Sequence, residues 1–311
     1  MPIGKANPGA TGEYASQTPQ QNGLHIWELI TPAYRLDEMV LSAETKDQIL
    51  DVIAYFQNEH RLMNEWGLEE KYGKRRGLAV NLYGPSGTGK TMAAHGILRE
   101  LSLPMLLVNS ADIESKYVGE TAKNLSALFK EALERGAAIF FDEADALLSK
   151  RVTNMTSATD VSVNQTRSVL LNLLNDYQGV ILFASNFIEN YDAAFLRRIR
   201  FHIRFSLPDQ AQRRKLWEVY IPGKMPCTPD FAALAEKYPG VSGSDISNAV
   251  FNAAVSAARD GAVTVDQSRF EKAIARILAV KTENAGNRIY ISERAVSSEE
   301  VPEYIKRSFE A

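Results

Sequence analysis

GPSGTGKT, residues 84–91, is the stretch that decides the predicted fold. A glycine, four variable residues, then glycine, lysine and threonine fit the loop that holds the phosphates of a nucleotide. Its glycines allow several backbone N–H groups to turn inward at close range, which a Cβ atom would prevent. LAVNLY (78–83) predicts a buried strand entering the loop, and MAAHGILREL (92–101) predicts a helix leaving it. Strand, glycine loop and helix in this order predict a nucleotide site in an α/β domain.

Two side chains at the end of this loop have distinct predicted roles. Lys90 is expected to place its ammonium group on the β- and γ-phosphates and so to assist catalysis. The Thr91 hydroxyl is expected to reach Mg²⁺. The residues expected to contact the nucleotide here are Gly84, Pro85, Ser86, Gly87, Thr88, Gly89, Lys90, Thr91 and Met92.

IFFDEAD, residues 139–145, supplies a second group of candidate residues. Asp142 would hold Mg²⁺ directly or through water, and Glu143 would polarise the water that attacks the γ-phosphate. The alternative is that these acidic residues only cap the following helix, since helix N-termini favour negative charge. Because the motif ends an apolar strand about fifty residues after the phosphate loop, the pattern favours a hydrolytic site.

The composition is that of an ordinary globular protein in a reducing compartment. Of the 311 residues, 45% are hydrophobic and 23% are charged, the net charge is −3, and Cys227 is the single cysteine. The slight negative charge argues against broad affinity for nucleic acids or anionic membranes. One cysteine cannot form an internal disulfide, and no apolar run approaches membrane-spanning length. We therefore expect a cytoplasmic protein without membrane insertion.

The chain is predicted to consist of a tail, two domains and an extension. Residues 1–25 are rich in small and polar residues and are predicted to form a flexible tail. Short apolar strands alternating with helices over 26–208 predict a parallel sheet covered by helices on both faces. From 209 to 281 the pattern is only helical and predicts a small second domain, which a polar extension over 282–311 follows.

In this order, GPSGTGKT, IFFDEAD and the strand ILFASN, which ends at Asn186, resemble the Walker A, Walker B and sensor-1 motifs of AAA+ ATPases. The following LRRIRFHIRFSLPD is similar to the arginine-finger segment of the microtubule-severing and endosomal-sorting members. The resemblance implies a P-loop NTPase fold with a helical lid, hydrolysis of ATP with Mg²⁺, and a role for Asn186 in orienting the attacking water. It also implies that Arg197 and Arg198 reach the γ-phosphate of a neighbouring subunit, with Arg200 and Arg204 as further candidates.

KYVGE, residues 116–120, precedes a predicted helix and narrows the function further. In the related ATPases, an aromatic residue, an aliphatic residue and glycine at this place line a central pore. The resemblance therefore implies that Lys116, Tyr117 and Val118 contact a polypeptide substrate; a surface tyrosine before a helix is the alternative. The polar segment 149–165 is predicted to be a loop, either a second pore loop or simply a flexible connection.

Two weaker resemblances concern the base and the ribose. RLDEMVLSAETKDQIL is similar to the segment that wraps the adenine base, which implies contacts from Met39, Val40 and Leu41. GVSGSDISNAV is similar to the start of a helix in the lid, which implies that Gly243 and Ser244 lie near the base and ribose.

These motifs predict an ATP-hydrolysing protein remodeller that works as a homo-oligomeric ring, expected to be a hexamer. Its partner is predicted to be a protein substrate, reached directly or through an adaptor. Two other classes stay open. A nucleic-acid loader or motor is disfavoured by KYVGE and by the net charge, and a nucleotide-gated scaffold with little turnover is disfavoured by Glu143 and Asn186. The resemblance covers residues 36 to about 280.

Overall fold

The computed structural model describes residues 27–72, 77–109, 120–150, 158–186 and 191–286. The strands are β1 (Trp27–Ile30), β2 (Leu78–Tyr83), β3 (Met105–Asn109), β4 (Ala138–Asp142), β5 (Val180–Ser185) and β6 (Phe201–Arg204). They form one sheet in the spatial order β1-β3-β4-β5-β2-β6. Only β1 runs antiparallel to its neighbour, β3, whereas every other neighbouring pair is parallel. The structure thus confirms the predicted α/β fold with a mostly parallel sheet.

Helices connect the strands and then continue alone to the end of the described chain. The α-helices are α1 (Ala43–Gln57), α2 (Leu68–Tyr72), α3 (Lys90–Glu100), α4 (Glu120–Arg135), α5 (Asp145–Leu148), α6 (Ala158–Asp176), α7 (Ala193–Leu196), α8 (Gln210–Tyr220), α9 (Phe231–Lys237), α10 (Gly243–Arg259) and α11 (Gln267–Gly286). A 3₁₀ turn spans Leu36–Glu38, and a π-helical turn spans Arg61–Glu65. Within the described segments, no helix has the combined length and apolar character that crossing a bilayer requires.

The sheet is buried on both faces, which explains its continuous apolar strands. All residues of β5 are buried, and so are the first five of β2. Helices α1 and α3 cover one face with a cluster that includes Ile49 and Ile97. Helices α4 and α6 cover the other face with a cluster that includes Phe129 and Leu170. Such double coverage is the usual environment of a parallel sheet, and it leaves only the strand ends accessible.

Helices α8 to α11 enclose a third hydrophobic cluster that is separate from the two sheet clusters. Trp217 and Phe270 pack edge to face at its centre, with ring centroids 6.0 Å apart. Three of these helices begin at residues whose side chains accept a backbone N–H, as expected of N-caps; the caps are Asp209, Asp230 and Ser242. The all-helical second domain predicted from the sequence is therefore a lid with its own core.

Several details differ from the sequence predictions. Strand β1 was not predicted, because a strand of only four partly exposed residues does not produce a clear hydrophobic pattern. The prediction of a loop over 149–165 is wrong from residue 158 onward, since α6 begins there. Polar residues can extend a helix whose later turns are packed against a core. Helix α11 also continues to Gly286, past the expected boundary at 281, while the predicted tail 1–25 lies outside the described residues.

Candidate nucleotide site

The ends of three neighbouring strands meet at the edge of the sheet where the nucleotide was predicted. In the order β4-β5-β2, strand β5 separates the strand of the acidic motif from the strand that leads into the phosphate loop. Because these strands are parallel, their carboxyl ends lie at one edge. A cleft of about 330 Å³ lies between this edge and the lid. The predicted residues that line it are Met39, Val40, Leu41, Ser86, Gly87, Thr88, Gly89, Lys90, Thr91, Met92, Asp142, Glu143, Asn186, Gly243 and Ser244.

The phosphate loop can follow its path only with glycine at two positions. Gly84 has a φ of 143°, and a Cβ atom there would lie 1.9 Å from the carbonyl oxygen of Phe205. Gly87 has a φ of 75°, and a Cβ there would lie 2.6 Å from the hydroxyl of Ser242 in the lid. Both φ values lie in the region that L-residues rarely adopt. The loop is therefore fitted between a neighbouring strand end and the lid.

Lys90, the first residue of α3, donates hydrogen bonds to three acceptors. Its Nζ donates to the carbonyl oxygens of Gly84 (2.8 Å) and Pro85 (3.0 Å) and to Oδ1 of Asn186 (3.0 Å). Gly84 and Pro85 thus hold the lysine side chain through their carbonyl oxygens, and they do not themselves line the cleft. Burial lowers the pKa of Lys90, while the negative charges of Asp145 and Asp142 oppose that shift. The ammonium group is largely desolvated, and its three N–H groups are all engaged, so binding a phosphate oxygen would replace one of these three bonds.

Thr91 and Asp142 form a pair of oxygen donors at the side of the loop. The Thr91 hydroxyl donates to Oδ2 of Asp142 at a distance of 3.0 Å. A hydroxyl and one carboxylate are a suitable partial ligand set for Mg²⁺, which takes oxygen ligands and usually keeps waters and phosphate oxygens as the others. Within the described residues, no group of three or more His, Cys, Asp or Glu side chains could hold a metal by itself. The pair therefore fits a metal that arrives with a nucleotide.

Glu143 lies at the mouth of the cleft in an uncommon backbone conformation. Its φ is 52°, and it is one of two non-glycine residues with a positive φ among those that the structure describes. Its backbone N–H donates to Oδ1 of Asp142 (3.0 Å), which fixes the turn after β4. Its side chain is exposed and lines the cleft. Strained conformations of this kind are concentrated at functional sites, and this placement agrees with a carboxylate that polarises water.

Asp145 orients Asn186 and was not singled out by the sequence reasoning. The backbone N–H of Asn186 donates to both carboxylate oxygens of Asp145, at 3.0 and 3.1 Å. Its side-chain Nδ2 lies 3.4 Å from Oδ2. Oδ1 of Asn186 consequently faces Lys90. Asp145 is the last residue of the IFFDEAD motif, but the motif does not indicate which residue its carboxylate contacts. That contact follows from the adjacency of β4 and β5.

The side of the cleft away from the acidic pair is formed by the segment before α1 and by the lid. Met39, Val40 and Leu41, for which the resemblance implied contacts with the adenine base, lie on this side. From the lid, the backbone N–H of Ser244 donates to the carbonyl oxygen of Gly87 (3.2 Å), so the lid contacts the phosphate loop directly.

Helix α8 adds lining residues that the sequence did not indicate, namely Gln212, Leu216, Val219 and Tyr220. Burial raises the pKa of the Tyr220 hydroxyl, which therefore stays neutral at ordinary pH. The periodicity of α8 predicted a helix but carried no information on which element it would face.

Three of the four candidate finger arginines lie away from this cleft, whereas Arg204 ends β6 beside Tyr83, at the edge of the sheet that carries the phosphate loop. Arg197, Arg198 and Arg200 line a second cavity, of about 520 Å³. They precede β6, which runs parallel to β2, so they lie at the edge of the sheet opposite the phosphate loop. The six residues of β2 separate these edges by roughly 20 Å.

Each of these three arginines has local contacts. Arg198 Nε donates to Oδ1 of Asn175 (2.8 Å), and Arg197 Nε donates to the carbonyl oxygen of Ala193 (3.2 Å). Arg200 instead donates to the hydroxyl of Tyr55 (2.8 Å) and lies over its ring. The other predicted candidates, Lys116, Tyr117 and Val118, lie outside the described residues.

The fold and this site together define a P-loop nucleoside triphosphatase with a helical lid. The phosphate loop follows β2, the acidic pair follows β4, and Asn186 follows β5, which lies between these two strands. Residues 80–209 match the ATPase family associated with various cellular activities (AAA), and residues 229–272 match the AAA+ lid domain. The chain belongs to the AAA+ ATPases; it binds ATP and hydrolyses it.

Similar curated proteins are bacterial ATP-dependent zinc metalloproteases. The chain is 31% identical to FtsH of Lachnoclostridium phytofermentans over 271 residues, which are 84% of this chain and 45% of that protein. It is 33% identical to FtsH 2 of Sorangium cellulosum over 264 residues, 82% of this chain and 42% of the relative. With FtsH of Ureaplasma parvum the identity is 27% over 256 residues, 81% and 34% of the two chains. The chain thus spans less than half the length of these relatives.

Proposed function

We propose that this AAA+ ATPase remodels protein substrates as a ring of six copies and uses Mg²⁺ as its metal. In this ring, arginines of the next copy complete the catalytic site around each bound nucleotide. The observation that carries the proposal is the position of Arg197 and Arg198. They lie at the edge of the sheet opposite the phosphate loop of their own chain. Within the described parts of the chain, neither is paired with a carboxylate. They are therefore cations in place for an anion supplied from outside the chain.

A ring follows from the need to bring two different surfaces together. The phosphate cleft of one copy and the arginine edge of another are distinct surfaces, so their contact is head to tail; such contacts form a ring when the rotation from copy to copy closes, and a ring is the arrangement that we propose. A guanidinium at the transferring phosphoryl group accelerates hydrolysis by a factor of about a thousand or more. Hydrolysis would then be slow in an isolated copy and fast in the assembled ring.

Inside the cleft, each of five residues is assigned a task. Bound ATP with Mg²⁺ supplies the phosphoryl group and the charge that neutralises its oxygens. Lys90 binds the phosphates with its desolvated ammonium group. Thr91 and Asp142, which are hydrogen-bonded to each other, would hold the metal. Glu143 polarises the attacking water, and Asn186 orients that water with its amide.

The proposed substrate is a polypeptide. The FtsH relatives are named as proteases and thus act on proteins, and their shared region includes the ATPase domain and the lid. The predicted pore residues Lys116, Tyr117 and Val118 would contact the polypeptide, directly or after delivery by an adaptor. A cytoplasmic location remains part of the proposal.

Mixing two inactive variants tests the arginine assignment. Lys90→Ala removes phosphate binding but keeps the arginines, whereas Arg197→Ala/Arg198→Ala keeps the phosphate loop. Each variant alone should lose at least about a hundredfold of the ATPase rate. In randomly mixed rings, a loop-intact copy meets an arginine-intact neighbour at about a quarter of the interfaces, so about a quarter of the activity should return. Arg214→Ala, a surface change in α8, serves as the control. A mixture that remains as inactive as its components would contradict catalysis in trans.

A stimulation assay tests the substrate class. We expect the ATPase rate to rise when an unfolded polypeptide such as reduced, carboxymethylated lactalbumin is added, and Tyr117→Ala should lose this stimulation. Stimulation by single-stranded DNA or RNA, with none by the polypeptide, would replace the protein remodeller with a nucleic-acid motor.

A further inference from the structure

A chain of contacts links the last described helix, α11, to the first turn of α10. The ammonium group of Lys281 in α11 forms an ion pair with Oδ2 of Asp245. The same oxygen accepts the backbone N–H of Ser242 (2.7 Å) and its hydroxyl (2.7 Å). The Ser242 hydroxyl oxygen also lies 3.3 Å from the backbone N of Asp245, which completes a reciprocal cap. One carboxylate oxygen thus joins α11 to the turn over residues 242–245.

The turn over 242–245 also contacts the phosphate loop. The backbone N–H of Ser244 donates to the carbonyl oxygen of Gly87 at 3.2 Å. The Ser242 hydroxyl lies so close to Gly87 that a Cβ atom on that residue would be only 2.6 Å from it. Gly243 and Ser244 line the nucleotide cleft. A small displacement of this turn would therefore change the cleft itself.

The charge of Asp245 makes Lys281 important for the position of the turn. The Asp245 side chain is only 9% exposed, whereas that of Lys281 is 47% exposed. A carboxylate largely removed from water needs a compensating charge or hydrogen bonds, and losing one partner weakens the whole arrangement. The amino-terminal end of α10 supplies part of that compensation, and the ammonium group of Lys281 supplies the rest.

We propose that Lys281 is a positioning residue for nucleotide binding, which acts by neutralising Asp245 and so holding the turn over 242–245 against the phosphate loop. The inference rests on the proposed binding of nucleotide in this cleft. Its consequence is that nucleotide affinity depends on how α11 is seated in the lid. By linkage, bound nucleotide stabilises the Lys281–Asp245 pair to the same extent.

Titration of the full chain with the fluorescent nucleotide mant-ADP, in the presence of Mg²⁺, tests the proposal. Lys281→Gln should weaken binding about two- to fivefold, as expected from the loss of a half-exposed ion pair. Lys281→Arg should restore the affinity to within about twofold, since the charge is kept. The matched control is Lys272→Gln, an exposed lysine of the same helix outside the network, which should bind as the wild type does. The KM for ATP should rise in Lys281→Gln by the same factor, with a smaller change in kcat.

A double-mutant cycle separates this role from a general loss of lid stability. Once Asp245→Asn has removed the charge, adding Lys281→Gln should weaken mant-ADP binding no further. Equal affinities of Lys281→Gln and Lys272→Gln would overturn the inference. So would a lower unfolding temperature of nucleotide-free Lys281→Gln with unchanged affinity. If the wild type fails to bind mant-ADP, or Lys90→Ala binds it equally well, the proposed nucleotide site itself fails and the inference falls with it.

Discussion

Replacing Asp145 tests whether the hydrolytic groups depend on one another as their contacts indicate. Asp145 accepts the backbone N–H of Asn186 at 3.0 and 3.1 Å and lies 3.4 Å from its Nδ2. A hydrogen bond to a charged acceptor contributes about 1.5–3 kcal/mol. If Asp145→Ala loses this stabilisation only in the transition state, kcat falls about 10- to 150-fold. Asp145→Asn keeps one acceptor oxygen, so its kcat should fall only about three- to tenfold.

The same change has a second effect, on the pH dependence of activity. The charge of Asp145 raises the pKa of Lys90 against the effect of burial. Without that charge the pKa falls further, so Lys90 loses its proton at lower pH. The alkaline limb of the pH–rate profile should therefore move to lower pH in both variants.

Phosphate-release kinetics over a range of ATP concentrations measure these effects, and mant-ADP titration measures binding separately. Binding should change less than kcat, because Lys90 keeps its bonds to Gly84 and Pro85. Asp47→Ala, an exposed change in α1, is the control for a generic loss of a carboxylate. If Asp145→Ala kept kcat within twofold of the wild type at an unchanged unfolding temperature, the orienting role given to Asp145 would be refuted.

Two further predictions concern stability. Burial lowers the pKa of His95 below its ordinary value of 6.5, and its Nδ1 accepts the backbone N–H of Ala33 (3.2 Å). The folded state thus resists protonation, so the free energy of unfolding should fall as the pH drops below 6.5, by at most about 1.4 kcal/mol per pH unit. His95→Gln should reduce this loss of stability below pH 6.5, as measured by urea titrations at several pH values. An unchanged pH dependence in the variant would contradict the role given to His95. Gly84→Ala, with its Cβ 1.9 Å from the Phe205 oxygen, should cost about 2–4 kcal/mol and abolish mant-ADP binding. Gly136→Ala, at a φ of 58° with open space, should cost only about 1 kcal/mol; equal costs would contradict the steric explanation.

Much of the fold could be predicted because its local patterns agree with its tertiary environment. The strands LAVNLY and VILFAS are continuous apolar runs, and the structure buries them on both faces. The phosphate loop was predictable because glycine is the residue that its backbone requires at Gly84 and Gly87. In these stretches the residue types are set by the local structure itself.

The remainder depends on contacts between segments that are distant in sequence. Nothing in the pattern of α8 indicated that Tyr220 would line the cleft, because this depends on how the lid folds back. Asp145 could be read as a helix cap until the adjacent strand placed Asn186 against it. Strand β1 gains its definition from pairing with β3 and from a bond between the Trp27 indole N–H and Glu131 (3.0 Å), which a four-residue pattern cannot specify.

The dependence of ATP turnover per chain on protein concentration tests the central claim most directly. The phosphate loop and the arginines Arg197 and Arg198 lie at opposite edges of one sheet, so a single copy is expected to lack part of its own catalytic site. Turnover per chain, measured together with the mass of the particle, should be low for the single copy and should rise in step with ring formation. An equal rate per chain in the single copy and in the assembled state would contradict the account.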